Sequence, residues 1–282
     1  MKNSYLIKPE QMANYMKNSA MLNQEGIFLY GVTDASVQKL LPPPLMLADP
    51  EKPTFYVYVV NIREPTFAPW YMEGGIGVNA KLGDREGLYL FNLQLTGPGA
   101  LMGMVTGREG AGLPKKLADE IVVERIDDYA HCYIERGGVR LIDVQLDIGQ
   151  YNNPDFLCGS EGCEDVEGGK VVEGGCLLHK YSMGGKGIED MRIVYYESPS
   201  RFYSWEPATA EVVLASSVDD PWAEIPVVSI DGAAWSINDN YVTSVVGIHD
   251  YSPEDAGRAM LNLYAGRYDR SLCCSEHQWY GA

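Results

Sequence analysis

Two adjacent lysines, Lys115 and Lys116, stand behind a proline and a glycine-rich turn in the stretch TGREGAGLPKKLADE. A neutral lysine amine can attack a ketone and form an imine, which accepts electrons from a breaking bond better than the ketone does. An ordinary lysine has a pKa of about 10.4, so about one amine in 10³ is neutral at pH 7. The two lysines are therefore either solvated on the surface, or held in an environment that lowers the pKa of one of them.

The residues around the pair favour the second interpretation. Gly110 and Gly112 can adopt backbone angles that other residues avoid, and Pro114 fixes its own φ. We therefore expect a loop that presents Lys115 in one orientation. Adjacent strand residues point to opposite faces, so Lys116 need not lie near Lys115. Two ammonium groups about 6 Å apart would repel by roughly 3 kcal/mol at a dielectric of about 20, or about two pKa units. Burial alone shifts a lysine by up to about 3–5 units. We therefore expect desolvation to dominate at Lys115, while Lys116 contributes or pairs with an acid.

The lysine motif resembles the signature of the acetoacetate decarboxylase family, G-R-E-x-x-x-x-P-K-K, which residues 107–116 match. Residues 71–75, YMEGG, resemble the family's Tyr-x-Glu-x-Gly segment, and residues 40–45, LLPPPL, resemble its early apolar-Pro-x-Pro-Leu segment. A weaker similarity runs through residues 220–239. The resemblance implies a cone-like, mostly antiparallel β-barrel with a few flanking helices, and a homo-oligomer.

The resemblance also implies the roles of the site residues. Lys115 would form the imine with a small keto acid, with Lys116 beside it and without a cofactor. Glu73 would move protons near the lysine, unless it is only a loop acid before two glycines. Arg108 could bind a substrate carboxylate, or act as a structural clamp by pairing with Glu109 or another acid. The other candidates for substrate binding or structural support are Tyr71, Tyr56 and Tyr58.

Two departures from the family pattern bear on the reaction. Residues 21–30, MLNQEGIFLY, contain no arginine where the decarboxylases carry one. The strand before Glu73 reads TFYVYVVNI, so Tyr56 or Tyr58 takes the place of a second glutamate. The sequence therefore predicts decarboxylation of a β-keto acid such as acetoacetate. One alternative is a Schiff-base aldolase-dehydratase or cyclase acting on 2-oxo acids such as pyruvate, and another is a non-catalytic binding protein.

Four residues raise the question of a metal site. The spacing Cys158-x4-Cys163 is wider than in a zinc finger, although Cys176-x2-His179 is tight. The resemblance places Cys176 and His179 on a core strand, where they point in different directions. Residues 152–175 are rich in glycine and acids, and we expect a surface insertion there. Whether these four residues bind a metal stays open at this point.

Strands must position most of these residues, since short segments rich in Val, Ile, Tyr and Thr recur between turn residues. They are residues 54–60, 87–95, 139–148, 191–198 and 208–216. The segment 100–106 also reads as a strand. Helices are predicted for residues 9–22, for 34–41 with Asp34 as cap, and for 252–264 with Ser252 as cap and Pro253 first. We expect one mainly β domain over residues 1–282.

Composition limits the partners of the protein. The net charge of −17 argues against nucleic acids and anionic membrane surfaces, because both need basic protein surface. No stretch reaches the roughly 18 apolar residues of a membrane helix, and the start MKNSYLIKPEQ lacks the apolar core of a signal peptide. We therefore expect a cytoplasmic protein.

Overall fold

Strands dominate the computed structural model, which describes residues 4–17, 19–149, 164–166, 169–185 and 187–272. In chain order, the described strands are β1 (Ala20–Val32), β2 (Met46–Leu47), β3 (Thr54–Pro65), β4 (Tyr71–Leu82), β5 (Arg85–Thr96), β6 (Lys115–Leu117), β7 (Glu120–Ile126), β8 (Tyr129–Arg136), β9 (Val139–Ile148), β10 (Glu164–Val166), β11 (Gly169–Val172), β12 (Gly175–Gly184), β13 (Gly187–Glu197), β14 (Ser200–Leu214), β15 (Ser229–Tyr241) and β16 (Ser244–Asp250). All five predicted strand segments are confirmed, and residues 139–148 coincide with β9.

The strands form one large sheet in the order β16-β13-β12-β5-β4-β3-β1-β15-β14-β9-β8-β7. Neighbours pair antiparallel, except that β5 pairs parallel with both β12 and β6. The predicted fold class is confirmed as mostly antiparallel β. The end strands β16 and β7 do not pair in the described part of the chain, so the predicted barrel is a loosely curled sheet.

In the described part of the chain, three α-helices flank the sheet: α1 (Pro9–Lys17), α2 (Ala100–Ala111) and α3 (Pro253–Arg267). Ser252 caps α3 by accepting from the Asp255 amide, as its sequence predicts. Asp34 likewise caps a 3₁₀ helix over Ala35–Leu40, and two further 3₁₀ turns cover Trp222–Glu224 and Arg270–Leu272. Within the described residues, no helix is long and apolar enough to cross a membrane.

Two sequence predictions about helices were wrong. The first helix ends at Lys17, and the apolar residues after it belong to β1. The segment 100–106 is not a strand but the first part of α2. Its Gly103 explains why, since a Cβ there would lie 3.1 Å from the Tyr71 ring and 3.2 Å from Leu95. The glycine lets the helix pack directly on β4 and β5, and this packing outweighs local propensity.

Side-chain alternation along the strands separates two apolar layers. On β1 and β3, Ile27, Leu29, Val57 and Val59 face the main core, where they pack with residues of β8 and β9. The opposite face carries Phe28 and other aromatic side chains of a second cluster, which surrounds a cavity. The curled sheet therefore encloses the cavity with one face while the other face builds the core.

Candidate active site

Lys115 forms an ion pair with Glu73 inside the curled sheet. Its Nζ lies 2.7 Å from Oε2 of Glu73, and the two side chains are only 5% and 9% exposed. The hydroxyl of Tyr58 donates to the other oxygen, Oε1, at 2.7 Å. Burial raises the pKa of Tyr58 well above its usual value and the Glu73 carboxylate raises it further, so Tyr58 keeps its proton. Both oxygens of the buried carboxylate are therefore held in place.

Strand register explains how the sequence brings these three residues together. Lys115 on β6 lies opposite Leu93 on β5, which lies opposite Gly75 on β4, which lies opposite Tyr58 on β3. Glu73 precedes Gly75 by two residues and shares its face of the sheet. The predicted burial of Lys115 is confirmed, at 4% exposure.

Two arginines hold the backbone that carries Lys115. Arg108 donates from Nε to the Lys115 carbonyl at 2.7 Å and from Nη2 to the Arg267 carbonyl at 2.6 Å. Arg267 in turn donates to the carbonyls of Gly112, at 2.5 Å, and His179, at 2.6 Å. Of the two roles expected for Arg108, these contacts fit a structural clamp, although they go to carbonyl oxygens rather than to Glu109 or another acid.

Arg267 escaped sequence analysis because nothing near it in the chain resembles a site. It lies in the last turn of α3, and the only local signal is a basic residue at a helix end. Burial lowers the pKa of Arg267, while nearby tyrosines oppose this shift. Its guanidinium also lies over the Tyr181 ring, 4.1 Å from the centroid. Helix α3 is thus hydrogen-bonded directly to the lysine loop, residues 112–114, which links α2 to Lys115 on β6.

Lys116 points away from the cavity into a network of charges. Its Nζ lies 3.1 Å from Asp220 and 3.2 Å from Asp269, and it donates to the Asp219 carbonyl at 2.8 Å. Arg136 binds the same two carboxylates. The expected pairing of Lys116 with an acid is present, and Lys116 is as deeply buried as Lys115. We assign Lys116 a structural role.

A cavity of about 1510 Å³ lies along the inner face of the sheet and includes Lys115 and Glu73 in its wall. Its wall is rich in aromatic and aliphatic side chains, such as Phe28, Tyr56, Phe202, Leu88, Leu90 and Tyr196. Among the described residues of the wall, the cations are Lys115 and Lys52, and Lys52 pairs with Asp231 at 3.1 Å. The cavity is therefore larger and more apolar than a small keto acid requires.

The remaining predicted residues divide between the cavity and its surroundings. Tyr56 lines the cavity and packs against Phe28, with ring centroids 6.0 Å apart. Tyr71 is fully buried beneath α2, with Lys115 Nζ 5.8 Å from its ring centroid, so it supports the site from behind. Glu109 lies exposed on α2 at the rim of the cavity. The structure thus brings Glu73, Tyr58 and Tyr56 to the same cavity as Lys115.

Two further wall residues lie near the carboxylate: Tyr196, which the sequence did not indicate, and Cys176, which it indicated only as a possible metal ligand. Burial raises the pKa of Tyr196, and both the Cys176 thiol and Glu73 raise it further. Burial raises the pKa of Cys176 to about 12, so this thiol stays protonated. Tyr196 and Cys176 lie on β13 and β12, far along the chain from the lysine motif, so only strand pairing reveals their position.

The structure gives no support to a metal site within the residues it describes. These residues contain no group of three or more His, Cys, Asp and Glu side chains arranged to hold a metal ion. Cys176 lines the cavity, whereas the His179 Nε2 lies 2.9 Å from the Tyr251 hydroxyl. Cys158 and Cys163 lie outside the described residues. Of the predicted insertion, the described part is the hairpin of β10 and β11, and β11 pairs with β14.

Comparison with known proteins connects this geometry to a family. The family model for acetoacetate decarboxylase (ADC) matches residues 5–252. The chain is 34% identical over 277 residues to a CLA biosynthesis isomerase of Lactiplantibacillus plantarum, covering 95% of this chain and 96% of the relative.

Solved structures show the same fold at low sequence identity. Acetoacetate decarboxylase from Legionella pneumophila superposes with a TM-score of 0.69 and 17% identity, covering 83% of this chain and 88% of that one. The enduracididine biosynthesis enzyme MppR, complexed with pyruvate, superposes with a TM-score of 0.64 and 12% identity, covering 89% and 95%. With the lysine motif, the family match and the fold in agreement, the chain belongs to the acetoacetate decarboxylase family.

Proposed function

We propose that this protein is an isomerase that uses Lys115 to move a double bond in an apolar, unsaturated ketone. The observation that carries the proposal is the Lys115–Glu73 pair, with its 2.7 Å contact, in the wall of an apolar cavity of about 1510 Å³. Pockets for drug-sized ligands occupy about 300–1,000 Å³. The 34% identical relative named as an isomerase supports this reaction class.

The position of the pair within the cavity supports an internal ketone. The cavity-lining residues of β3 run from Thr54 to Ile62, and Tyr58, which binds Glu73, lies midway between them. A ketone carbon that reaches Lys115 therefore has room for a chain on either side. A substrate carboxylate gains little here, because the cations of the described wall are already paired with Glu73 and Asp231.

Imine formation uses the proton shared by Lys115 and Glu73. The Lys115 ammonium passes one proton to Glu73, and the neutral amine attacks the carbonyl carbon. Glu73 returns that proton to the departing hydroxyl, so one water molecule leaves and a protonated imine forms. Atoms and charge balance, since a cationic ammonium becomes a cationic imine and Glu73 is again a carboxylate.

The same carboxylate can then move the double bond. The protonated imine draws electrons from the neighbouring C–H bond, and Glu73 accepts this proton as a general base. In a β,γ-unsaturated ketone the electron pair spreads over both double bonds, and Glu73 can return the proton at the γ carbon. Hydrolysis releases a conjugated α,β-unsaturated ketone and frees Lys115. Tyr58 fixes the carboxylate through its Oε1 while Oε2 faces the lysine.

The experiment uses tridec-8-en-6-one, a β,γ-unsaturated internal ketone. We expect the ultraviolet absorption of a conjugated enone to grow with the wild-type protein and to be lost in Lys115→Ala. Borohydride added during the reaction should attach the ketone to Lys115, as peptide mass spectrometry detects. An unchanged rate in Lys115→Ala, or a label on Lys116 alone, would contradict the proposal.

Decarboxylation of a β-keto acid is the second candidate, and the family match together with the buried Lys115–Glu73 pair favours it. A protonated imine also accepts the electrons left by departing CO2, so the same lysine serves both reactions. The assay is CO2 release from acetoacetate. Rapid release that depends on Lys115, with no enone formed from tridec-8-en-6-one, would favour decarboxylation over the isomerase.

A further inference from the structure

Two buried amide side chains interrupt the apolar wall at one end of the cavity. Gln24 on β1 and Asn238 on β15 are direct antiparallel partners, so their Cβ atoms lie about 4.5–5.5 Å apart on the same face. Both line the cavity, and they are only 5% and 1% exposed. Their neighbours in the wall include Ile62 and Phe202, which pair with them across the adjoining strands.

The fold satisfies the hydrogen bonds of this amide pair only in part. Among the described residues, the side-chain oxygen of Asn238 has no hydrogen-bond partner. Gln24 donates to the Met21 carbonyl at 3.4 Å, which is long for such a bond. Burying an amide without partners destabilises a protein, and an apolar residue would pack here without this penalty. The unpartnered oxygen of Asn238 and the long bond of Gln24 therefore indicate a ligand group that completes the hydrogen bonds of the pair.

We infer that Gln24 and Asn238 form a second polar subsite of the cavity, which binds an uncharged hydroxyl group on the chain of the substrate. A hydroxyl donates to an amide oxygen and accepts from an amide N–H, which matches both functions of the pair. A carboxylate would need a cation here, and the described wall offers only Lys115 and Lys52, both paired with acids.

Strand register sets the distance between this subsite and the lysine. Tyr58 shares the row of Lys115, and Ile62 shares the row of Gln24 and Asn238. Four residues separate Tyr58 from Ile62 along β3, or about 13 Å. The substrate class is thus a long-chain hydroxy ketone. This inference deepens the proposed function and rests on it for the position of the carbonyl.

The test compares three probes of equal chain length by calorimetric titration: dodecan-2-one, 12-hydroxydodecan-2-one and 11-oxododecanoate. We expect the hydroxy ketone to bind about threefold to tenfold more tightly than dodecan-2-one, as one or two neutral hydrogen bonds provide. The preference should disappear in Asn238→Leu and weaken in Gln24→Leu. Equal binding of the two neutral probes, or a preference that survives Asn238→Leu, overturns the inference. Tightest binding of the carboxylate overturns the assignment to an uncharged group.

Stability measurements separate a ligand site from a structural role. Asn238→Leu removes a buried amide whose oxygen has no hydrogen-bond partner, so we expect an equal or higher unfolding temperature. Asn92→Leu is the matched control, because Asn92 is similarly buried on a strand but donates to the Gly266 carbonyl at 3.1 Å, so its loss should lower that temperature. A large loss of stability in Asn238→Leu overturns the inference. A hydroxyl preference that depends on Asn238 in a protein that forms no imine would support the subsite and refute the isomerase.

Discussion

Replacing Gly107 with alanine tests whether the lysine must occupy its observed position. Gly107 lies in α2, directly above the side chain of Lys115. A Cβ built on Gly107 would lie 2.9 Å from both Cδ and Cε of Lys115, and 3.2 Å from Leu113 Cδ1. Since ordinary carbon contacts begin near 3.4 Å, the lysine must move by about half an ångström. It is buried and bound to Glu73 at 2.7 Å, so this movement disturbs the ion pair.

Two opposing terms set the expected change in stability. Alanine favours a helix interior over glycine by about 0.5–1 kcal/mol. Overpacking a buried contact costs about 1–3 kcal/mol. We expect Gly107→Ala to lose about 1–2 kcal/mol in the free energy of unfolding. Misplacing a reacting group by 1 Å can cost about 10²-fold in rate, so half that shift should slow borohydride trapping of a ketone at Lys115 about tenfold.

Gly257 provides the matched control, because it is an exposed glycine inside α3 with open space around its Cβ position. Gly257→Ala should gain stability from helix propensity and trap the ketone at the wild-type rate. Urea unfolding and timed trapping with mass spectrometry measure both quantities. If Gly107→Ala traps the ketone as fast as Gly257→Ala and is equally stable, Lys115 does not need its observed position.

Three further changes test other contacts of the site. Tyr58→Phe removes a hydrogen bond to the Glu73 carboxylate, so we expect about 1–2 kcal/mol less stability in urea unfolding. Enone formation should slow, while borohydride trapping at Lys115 should be less affected. An equal loss of the enone-forming and trapping rates would count against Tyr58 as the residue that positions Glu73. Arg267→Met removes the donor from two buried carbonyls, so we expect a loss of about 2–4 kcal/mol in the free energy of unfolding and slower trapping of the ketone. Arg267→Lys should restore part of both. Arg258→Met, at an exposed ion pair, should change the free energy of unfolding by less than about 0.5 kcal/mol. Burial lowers the pKa of His179 to about 3, with nearby positive charge adding to the shift, so the unfolded chain binds a proton that the native state refuses. Stability should then fall by about 1.4 kcal/mol per pH unit as the pH drops from about 6.5 towards 3. His179→Gln should flatten this slope in urea unfolding between pH 7 and pH 5. Parallel slopes for the two proteins would show that His179 is not the group responsible.

The parts of the site that sequence predicted are those held by local chemistry. Residues 107–116 carry their motif in one continuous stretch, from the last turns of α2 to the start of β6. The glycine at 112 adopts the positive φ of 84° that closes α2 before Lys115. Glu73 was found because a short segment around it carries a recognisable pattern. In both cases the residues that matter are neighbours in the chain.

The parts that sequence could not predict depend on long-range pairing. Arg267 reaches the lysine loop from a helix 155 residues away from Gly112, and no local pattern records that contact. Tyr196 and Asn238 join the cavity only because their strands pair in one register and not in the next. The segment 100–106 was misread because a glycine-containing apolar run suits a strand or a closely packed helix, and only the Tyr71 ring beneath it decides between them.

The two lysines show how strand alternation divides one motif between two tasks. On β6, Lys116 turns into a cluster whose two cations and two carboxylates compensate one another, with Arg136 bound to both acids. A proton released there finds no ligand, because the cluster lies outside the cavity wall. Lys115 turns into the cavity, where its partner Glu73 also accepts a hydrogen bond from the neutral Tyr58. A lysine and a carboxylate that face a ligand can exchange a proton with it. In a chain of net charge −17, the pairing of Lys115 with Glu73 also removes a free cation that would attract anions. Under the proposed function, this one contact therefore serves imine formation at Lys115 and also favours neutral ketones in the cavity.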